Sequence, residues 1–168
     1  MGEEREQISA GISPERYFLM YAYPCIRNLQ HQHKLSEEDA EILEKLLFGK
    51  KTLKRDYLES CFPNAFKRIR IVAAQMNKDY WDIEVLRKYW LEEHNKFIEA
   101  GDGDYATATP SFKELCKVHK AEVIGKKDNI LSVKYDGIIR KVFATLVPDV
   151  KKGDKVSVHL AFAIEKLD

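Results

Sequence analysis

The predicted fold of the C-terminal third rests on its closing stretch, VSVHLAFAIEKLD (residues 156–168), in which large and small side chains alternate. Successive side chains of a β-strand point to opposite faces, so this stretch predicts a strand with one apolar face. The apolar set is Val156, Val158, Leu160 and Phe162, and the opposite set is Ser157, His159, Ala161 and Ala163. We expect the apolar set to face a core. His159 is therefore predicted to point away from that core, among small neighbours that leave it open to approach.

Three more runs with a period of two precede this stretch, over residues 121–124, 130–135 and 138–143. Asp136-Gly137 lies between the last two and is a strong hairpin-turn signal. Lys152-Gly153-Asp154 is a second turn signal before the closing stretch. Four to five short strands in this span predict a small closed β-barrel, because closure removes exposed sheet edges.

The first hundred residues have helical spacing instead and show no strand signal. Ser13 followed by Pro14 predicts a helix start, and Ser36 before three acidic residues predicts another. Pro24 is expected to kink or split the first helix. The clearest helix is predicted over residues 81–100. The aromatic stripe of the first helix is predicted to pack on aromatic side chains of this last one; it comprises Tyr17, Phe18, Tyr21 and Tyr23.

Residues 101–111 begin GDGDYATATP and read as a linker, because Gly, Asp and Thr followed by Pro are typical of loops. Asp102 and Asp104 do not predict a calcium site, since the remaining ligands of an EF-hand loop are missing. The predicted fold class is α+β in two domains. An all-helical domain covers residues 1–100, with 1–12 frayed, and a small OB-like β-barrel covers residues 112–168.

Charge and cysteine content narrow the class of protein. The formal net charge is +1 over 168 residues, which predicts neither a nucleic-acid partner nor a membrane partner. Residues 111–168 carry 12 basic and 8 acidic side chains, a local excess of +4. Three cysteines and no secretory signal predict reduced thiols and a cytoplasmic location.

Cys116 and His159 are the candidate metal ligands. Cys116 is predicted to lie just before the first strand, and the first and last strands of a barrel are often neighbours. A thiolate and an imidazole together suit a late first-row transition metal, but two ligands could hold only a metal that brings others. The helical region has its own candidates, for which we favour a structural interpretation: Cys25, His31, His33, Cys61 and His94.

Residues 115–168 resemble the HypC/HupF family of hydrogenase assembly chaperones. The family's Gly-Asp, Val-His and Phe-Ala-Ile pattern corresponds to Gly153-Asp154, Val158-His159 and Phe162-Ala163-Ile164. The family's opening Met-Cys-Leu corresponds to Leu115-Cys116. The resemblance implies an OB-like barrel that assists assembly of nickel–iron hydrogenase. It also implies protein partners, namely the large-subunit precursor and a second maturation protein.

By the same resemblance, Cys116 and His159 would hold iron carrying cyanide and carbon monoxide as a transient cargo, with no tightly bound cofactor. In this chain Cys116 is internal, whereas the family's cysteine is normally the second residue. Lys120-Ala121 stands where the family has Pro-Gly. Two alternatives therefore stay open, a metal-free protein-binding adaptor and, more weakly, an OB-like RNA-binding module. No phosphate loop, nucleophile elbow or HExxH motif indicates an enzyme.

Overall fold

The computed structural model describes residues 11–168. The chain divides into two compact units between Glu93 and His94, and each unit is described separately below. The sequence-based division into residues 1–100, 101–111 and 112–168 stays a prediction. Within residues 11–168, no helix is both long and apolar enough to cross a membrane.

The described part of the N-terminal unit is helical. Its helices are α1 (Pro14–Ala22), α2 (Ile26–His31), α3 (Glu37–Phe48), α4 (Arg55–Cys61), α5 (Pro63–Met76) and α6 (Ile83–Lys88). A 3₁₀ turn, Tyr23–Cys25, separates α1 from α2 at the predicted break, and a π-helical segment, Tyr89–Glu93, follows α6. The hydroxyl of Ser13 accepts a hydrogen bond from the amide of Arg16, and Ser36 accepts one from Asp39. Both predicted caps are therefore confirmed.

Aromatic side chains form the core of this unit, as predicted. Phe18 is fully buried, and its ring centroid lies 6.1 Å from that of Trp81. The ring of Tyr21 stacks on that of Trp90 at 5.4 Å and 14°. Tyr23 packs on Phe48 instead, with the ring centroids 5.6 Å apart. Such rings bury large apolar areas, so the aromatic stripe has a structural role here.

The second unit begins with two short helices, α7 (His94–Glu99) and α8 (Pro110–Cys116), with a 3₁₀ turn, Gly103–Ala106, between them. The sequence analysis interpreted residues 101–111 as a linker and began the barrel at residue 112, so it did not predict helix α8. Thr109 caps α8 by accepting a hydrogen bond from the amide of Phe112, and Pro110 occupies the first helical turn. Thr-Pro is a helix-start signal that the sequence analysis interpreted as the end of a linker.

Five strands follow: β1 (Val118–Lys127), β2 (Ile130–Tyr135), β3 (Ile138–Phe143), β4 (Lys155–His159) and β5 (Phe162–Leu167). Their pairing order is β1-β2-β3-β5-β4, and β4 also pairs with β1, so the order is circular. The pairs are antiparallel apart from β3 and β5, which meet in parallel at Phe143 and Phe162. The predicted helical region followed by a C-terminal sheet is therefore confirmed.

The Asp136-Gly137 turn forms as predicted. Both residues have positive φ, at +50° and +74°, and Tyr135 pairs with Ile138 across the turn. Positive φ at both positions is what a two-residue hairpin of this kind requires, and Asp-Gly tolerates it.

The closing stretch is not one strand, and this prediction is wrong. It turns back at Leu160-Ala161, so that His159 pairs with Phe162 across a two-residue loop. Leu160 has φ +53°, which a leucine adopts only when its surroundings impose it. Both carbonyls of the loop are held from β3. Arg140 donates to the oxygen of Leu160 at 2.8 Å, and the amide of Phe143 donates to that of Ala161 at 2.8 Å.

An apolar core fills the inside of the sheet, and a series of polar contacts that starts at Arg140 lies at its edge. The core contains Ala121, Val123, Leu131, Val133, Tyr135, Val142, Ala144, Val150, Val156, Val158 and Ala163. Arg140 also donates to the hydroxyl of Tyr135 at 3.0 Å, and the Tyr135 ring stacks on His119 at 4.2 Å. His119 in turn lies 3.5 Å from a carboxylate oxygen of Glu114. These contacts connect the end of α8 to the loop after β4.

Candidate functional site

His159 is the last residue of β4 and lies opposite Val118 of β1. Its neighbour Val158 belongs to the inner core, so alternation directs His159 outward, as predicted. The accompanying prediction that His159 is open to approach is wrong, because its exposed fraction is 0%. The ring of His94, from α7, lies against it, with ring centroids 5.2 Å apart and planes at 78°.

Cys116 is the last residue of α8 and is 3% exposed. Burial raises the pKa of its thiol, and a hydrogen bond with Tyr105 opposes this only in part. The group is therefore a protonated thiol at neutral pH, whereas the thiolate is the metal ligand and the nucleophile. The structure thus presents Cys116 as a packed side chain.

An asparagine that the sequence analysis missed joins α7 to β1. The side-chain amide of Asn95 donates to the carbonyl of Val118 at 2.8 Å, and its oxygen accepts from the Val118 amide at 2.8 Å. This pairing imitates a neighbouring strand at the start of β1. No sequence signal could have identified it, since an isolated Asn in a helix has many roles.

A lysine between α8 and β1 reinforces the same connection. The ammonium group of Lys117 contacts Glu99 at 2.9 Å and Glu114 at 3.1 Å. Both acids are more than half exposed, so water screens these pairs and each contributes little stability.

Four residues on the outer side of β1, β4 and β5 are buried. They alternate with core residues and form what we name the covered face: Val118, Ser157, His159 and Ile164. His94 and Asn95 of α7 contact this face at His159 and Val118. His159, which carries the resemblance to the HypC/HupF pattern, is therefore covered by α7 of the same unit.

The outer side of β2 and β3 is exposed. Its large apolar members are Ile130, Ile139 and Phe143, with exposed fractions of 41%, 62% and 44%. Lys134 and Lys141 lie on the same side, opposite Ile139 and Ser132. Lys127, at the end of β1, pairs with Ile130. We name this surface the open face.

The helical-region candidates do not form a metal site in the described part of the chain. Within residues 11–168, no group of three or more His, Cys, Asp or Glu side chains could hold a metal ion. His31 and His33 are exposed, Cys25 is half-buried and Cys61 is buried. His94 belongs to the second unit. These placements favour the structural interpretation of the helical-region candidates.

Comparison with known proteins identifies the C-terminal segment. Residues 119–168 match the HupF/HypC family. The resemblance inferred from the sequence is thus confirmed for this segment, which covers β1 from its second residue and the remaining strands. A curated relative, the hydrogenase maturation factor HypC of Rhizobium leguminosarum bv. viciae, is 44% identical over 41 residues. That match covers 24% of this chain and 55% of the relative, so the chain spans about half of the relative's length.

The matched segment includes His159 and begins three residues after Cys116. His159 therefore lies within the HupF/HypC-like part of the chain. The correspondence of Leu115-Cys116 with the family's opening lies outside that part. The assignment of Cys116 and His159 as iron ligands stays a prediction.

Proposed function

We propose that this protein is an accessory chaperone in the maturation of the nickel–iron hydrogenase large subunit, and that it acts by binding other proteins. The match of residues 119–168 to the HupF/HypC family carries this proposal. The relative from Rhizobium leguminosarum bv. viciae, a hydrogenase maturation factor, supports it. The proposed partners are the large-subunit precursor and a second maturation protein.

The proposed fold of the second unit is an OB-like β-barrel. The circular pairing order and the apolar core inside the sheet support it. OB-folds bind oligonucleotides and oligosaccharides through the outer face of strands 2 and 3 and through loops, so the outer surface of such a barrel is a place where ligands dock. Protein binding by the outer surface is therefore compatible with this fold.

Transfer of an iron cargo by Cys116 and His159 is the second candidate. His159 within the matched segment favours it. The described conformation does not fit it, because His159 is 0% exposed and Cys116 is 3% exposed with a raised thiol pKa. Cargo binding would first require α7 and α8 to move away from the sheet. We therefore place metal-free protein binding ahead of iron transfer.

The proposal is tested in a hydrogenase-producing host from which the gene for this protein is deleted. We expect nickel–iron hydrogenase activity to fall in the deletion strain and to return with the wild-type gene and with a Cys116→Ala variant. Restoration by wild type but not by Cys116→Ala would favour the iron-transfer candidate. Unchanged activity in the deletion strain, with no complex between the purified protein and the large-subunit precursor, would refute the maturation role.

An RNA-binding role has weaker support. The excess of +4 charges over residues 111–168 suggests it, but base stacking needs exposed aromatic rings. On the open face the large exposed apolar side chains are Ile130, Ile139 and Phe143. Isoleucine does not stack on bases, so this surface suits protein better than RNA.

A further inference from the structure

We propose that the open face is the docking surface for an acidic segment of a protein partner that also carries apolar side chains. This inference rests on the proposed function, because it names the surface through which the protein would hold a maturation partner. It draws on two properties of the open face: its exposed apolar side chains and its lysines.

The apolar side chains lie in register. Ile130 of β2 and Phe143 of β3 are directly opposite each other, and the ring of Phe143 is 5.5 Å from that of Phe162 on β5. Ile139 lies on the same side of β3, further towards the hairpin, opposite Lys134. Side chains directly opposite on neighbouring strands touch, so Ile130, Phe143 and Phe162 form one continuous apolar row. Exposed apolar surface of this kind marks an interaction site more often than an isolated exposed residue does.

On the strands around the row, the exposed charges include three lysines and one acid, while Asp128 and Asp136 lie in the flanking turns. Lys127 lies beside Ile130, Lys141 lies two residues before Phe143, and Lys134 lies opposite Ile139. All three are exposed. The acid on these strands is Glu122 of β1, which lies directly opposite Lys134 of β2. A partner with carboxylates at the lysines and apolar groups at the row would be complementary in both respects.

The same charges argue against a second copy of this chain as the occupant. A symmetric contact would place the lysines of one open face against the lysines of the other, and like charges facing each other oppose association. A partner surface of opposite sign has no such cost. The occupant that fits is therefore a different protein with an acidic segment.

The lysines also predict how the interaction depends on salt. Exposed charges are screened over about 8 Å at physiological ionic strength, so binding should weaken as salt is raised. The apolar row should be much less sensitive to salt. Separate variants of the row and of the lysines can therefore divide the two contributions.

The test measures the affinity of the purified full-length protein for the purified large-subunit precursor and for the partner maturation protein, by calorimetry or interferometry. The row variant is Ile139→Ser with Phe143→Ser, and the charge variant is Lys134→Glu with Lys141→Glu. Ile71→Ser is the matched control for the row, since Ile71 of α5 is also 44% exposed. Lys67→Glu, at another exposed lysine of α5, is the control for the charges.

We expect wild type to bind at least one of the two proteins. The row variant should bind at least 10-fold more weakly, the charge variant several-fold more weakly with a reduced salt dependence, and both controls within twofold of wild type. Circular dichroism of each variant checks that the fold is retained. If wild type binds and both open-face variants bind equally well, the docking inference is overturned and the proposed function stands. If wild type binds neither protein, the docking inference is overturned, and the proposed function is overturned with it when the deletion strain also keeps its hydrogenase activity.

Discussion

The covered face and the open face belong to the same five-stranded sheet, and both are formed by side chains that alternate with the core. On β4 and β5 the outward residues His159 and Ile164 are completely buried, whereas on β3 Ile139 is 62% exposed. Helix α7 contributes to this difference, because its His94 packs on His159 of β4 and its Asn95 bonds to Val118 of β1. The surface that carries His159 is thus closed in the described conformation, whereas the large apolar side chains on the outer side of β2 and β3 are exposed.

The largest expected difference in stability is between an isoleucine-to-serine substitution on the covered face and the same substitution on the open face. Ile164→Ser places a hydroxyl in a fully buried apolar site and should lower the free energy of unfolding by about 3–5 kcal/mol. Ile139→Ser should change it by less than about 0.5 kcal/mol. Hydrogen exchange of the strand amides measures both, because it reports on the stability of the sheet itself. Equal effects of the two substitutions would show that the open face is also buried in solution.

The next effect concerns Arg140, which joins β3 to the loop after β4. Arg140→Met removes its hydrogen bonds to the hydroxyl of Tyr135 and the carbonyl of Leu160, at an expected cost of about 1–3 kcal/mol. Lys141→Met, next to it on the open face, should cost less than about 0.5 kcal/mol. Exchange of the amides around residues 159–162 should quicken in the first variant and not in the second. The absence of this contrast would mean that Arg140 does not hold the loop.

These elements also show what the sequence could and could not predict. The Asp136-Gly137 turn and the Ser13 cap were predicted because a few neighbouring residues determine them. The reversal at Leu160-Ala161 was missed because no local turn residue marks it. It is held instead by Arg140 and Phe143, which come from β3. Local signals predict local structure, and this loop depends on another strand.

The accessibility of His159 was predicted wrongly for the same kind of reason. Alternation gave the outward direction of His159 correctly, but its burial depends on His94, which is distant in sequence. The helix that places Cys116 depends on Thr109-Pro110, a local signal whose alternative interpretation as a linker was equally permitted. Residue types suggested the candidate ligands, but whether those side chains are accessible could be read only from the fold.

A smaller effect should follow from cutting the connection between α7 and the covered face. Asn95→Ala removes both hydrogen bonds to the main chain of Val118 and should cost about 1–2 kcal/mol. The Val118 amide should then exchange faster, because its acceptor is lost. Lys96→Ala, at the neighbouring position of α7, is the control and should leave this amide protected. If Asn95→Ala also leaves it protected, another group satisfies the strand end.

The smallest expected change is in the chemistry of Cys116. Its thiol is buried and its pKa is raised, so it should react with iodoacetamide at pH 8 at least about 10-fold more slowly than the half-buried Cys25, and all three cysteines should react alike in denaturant. The raised pKa of this thiol also predicts how stability depends on pH. The folded state holds the proton more tightly than the unfolded chain does. Its contribution to stability is therefore complete below about pH 8.5, where a free thiol ionises, and is lost as the pH rises through the pKa of the thiol in the folded state. A Cys116→Ser variant should show less of this alkaline loss. Rapid labelling of Cys116 at pH 8, comparable with Cys25, would show instead that α8 opens readily, and it would bring the iron-transfer candidate ahead of metal-free binding.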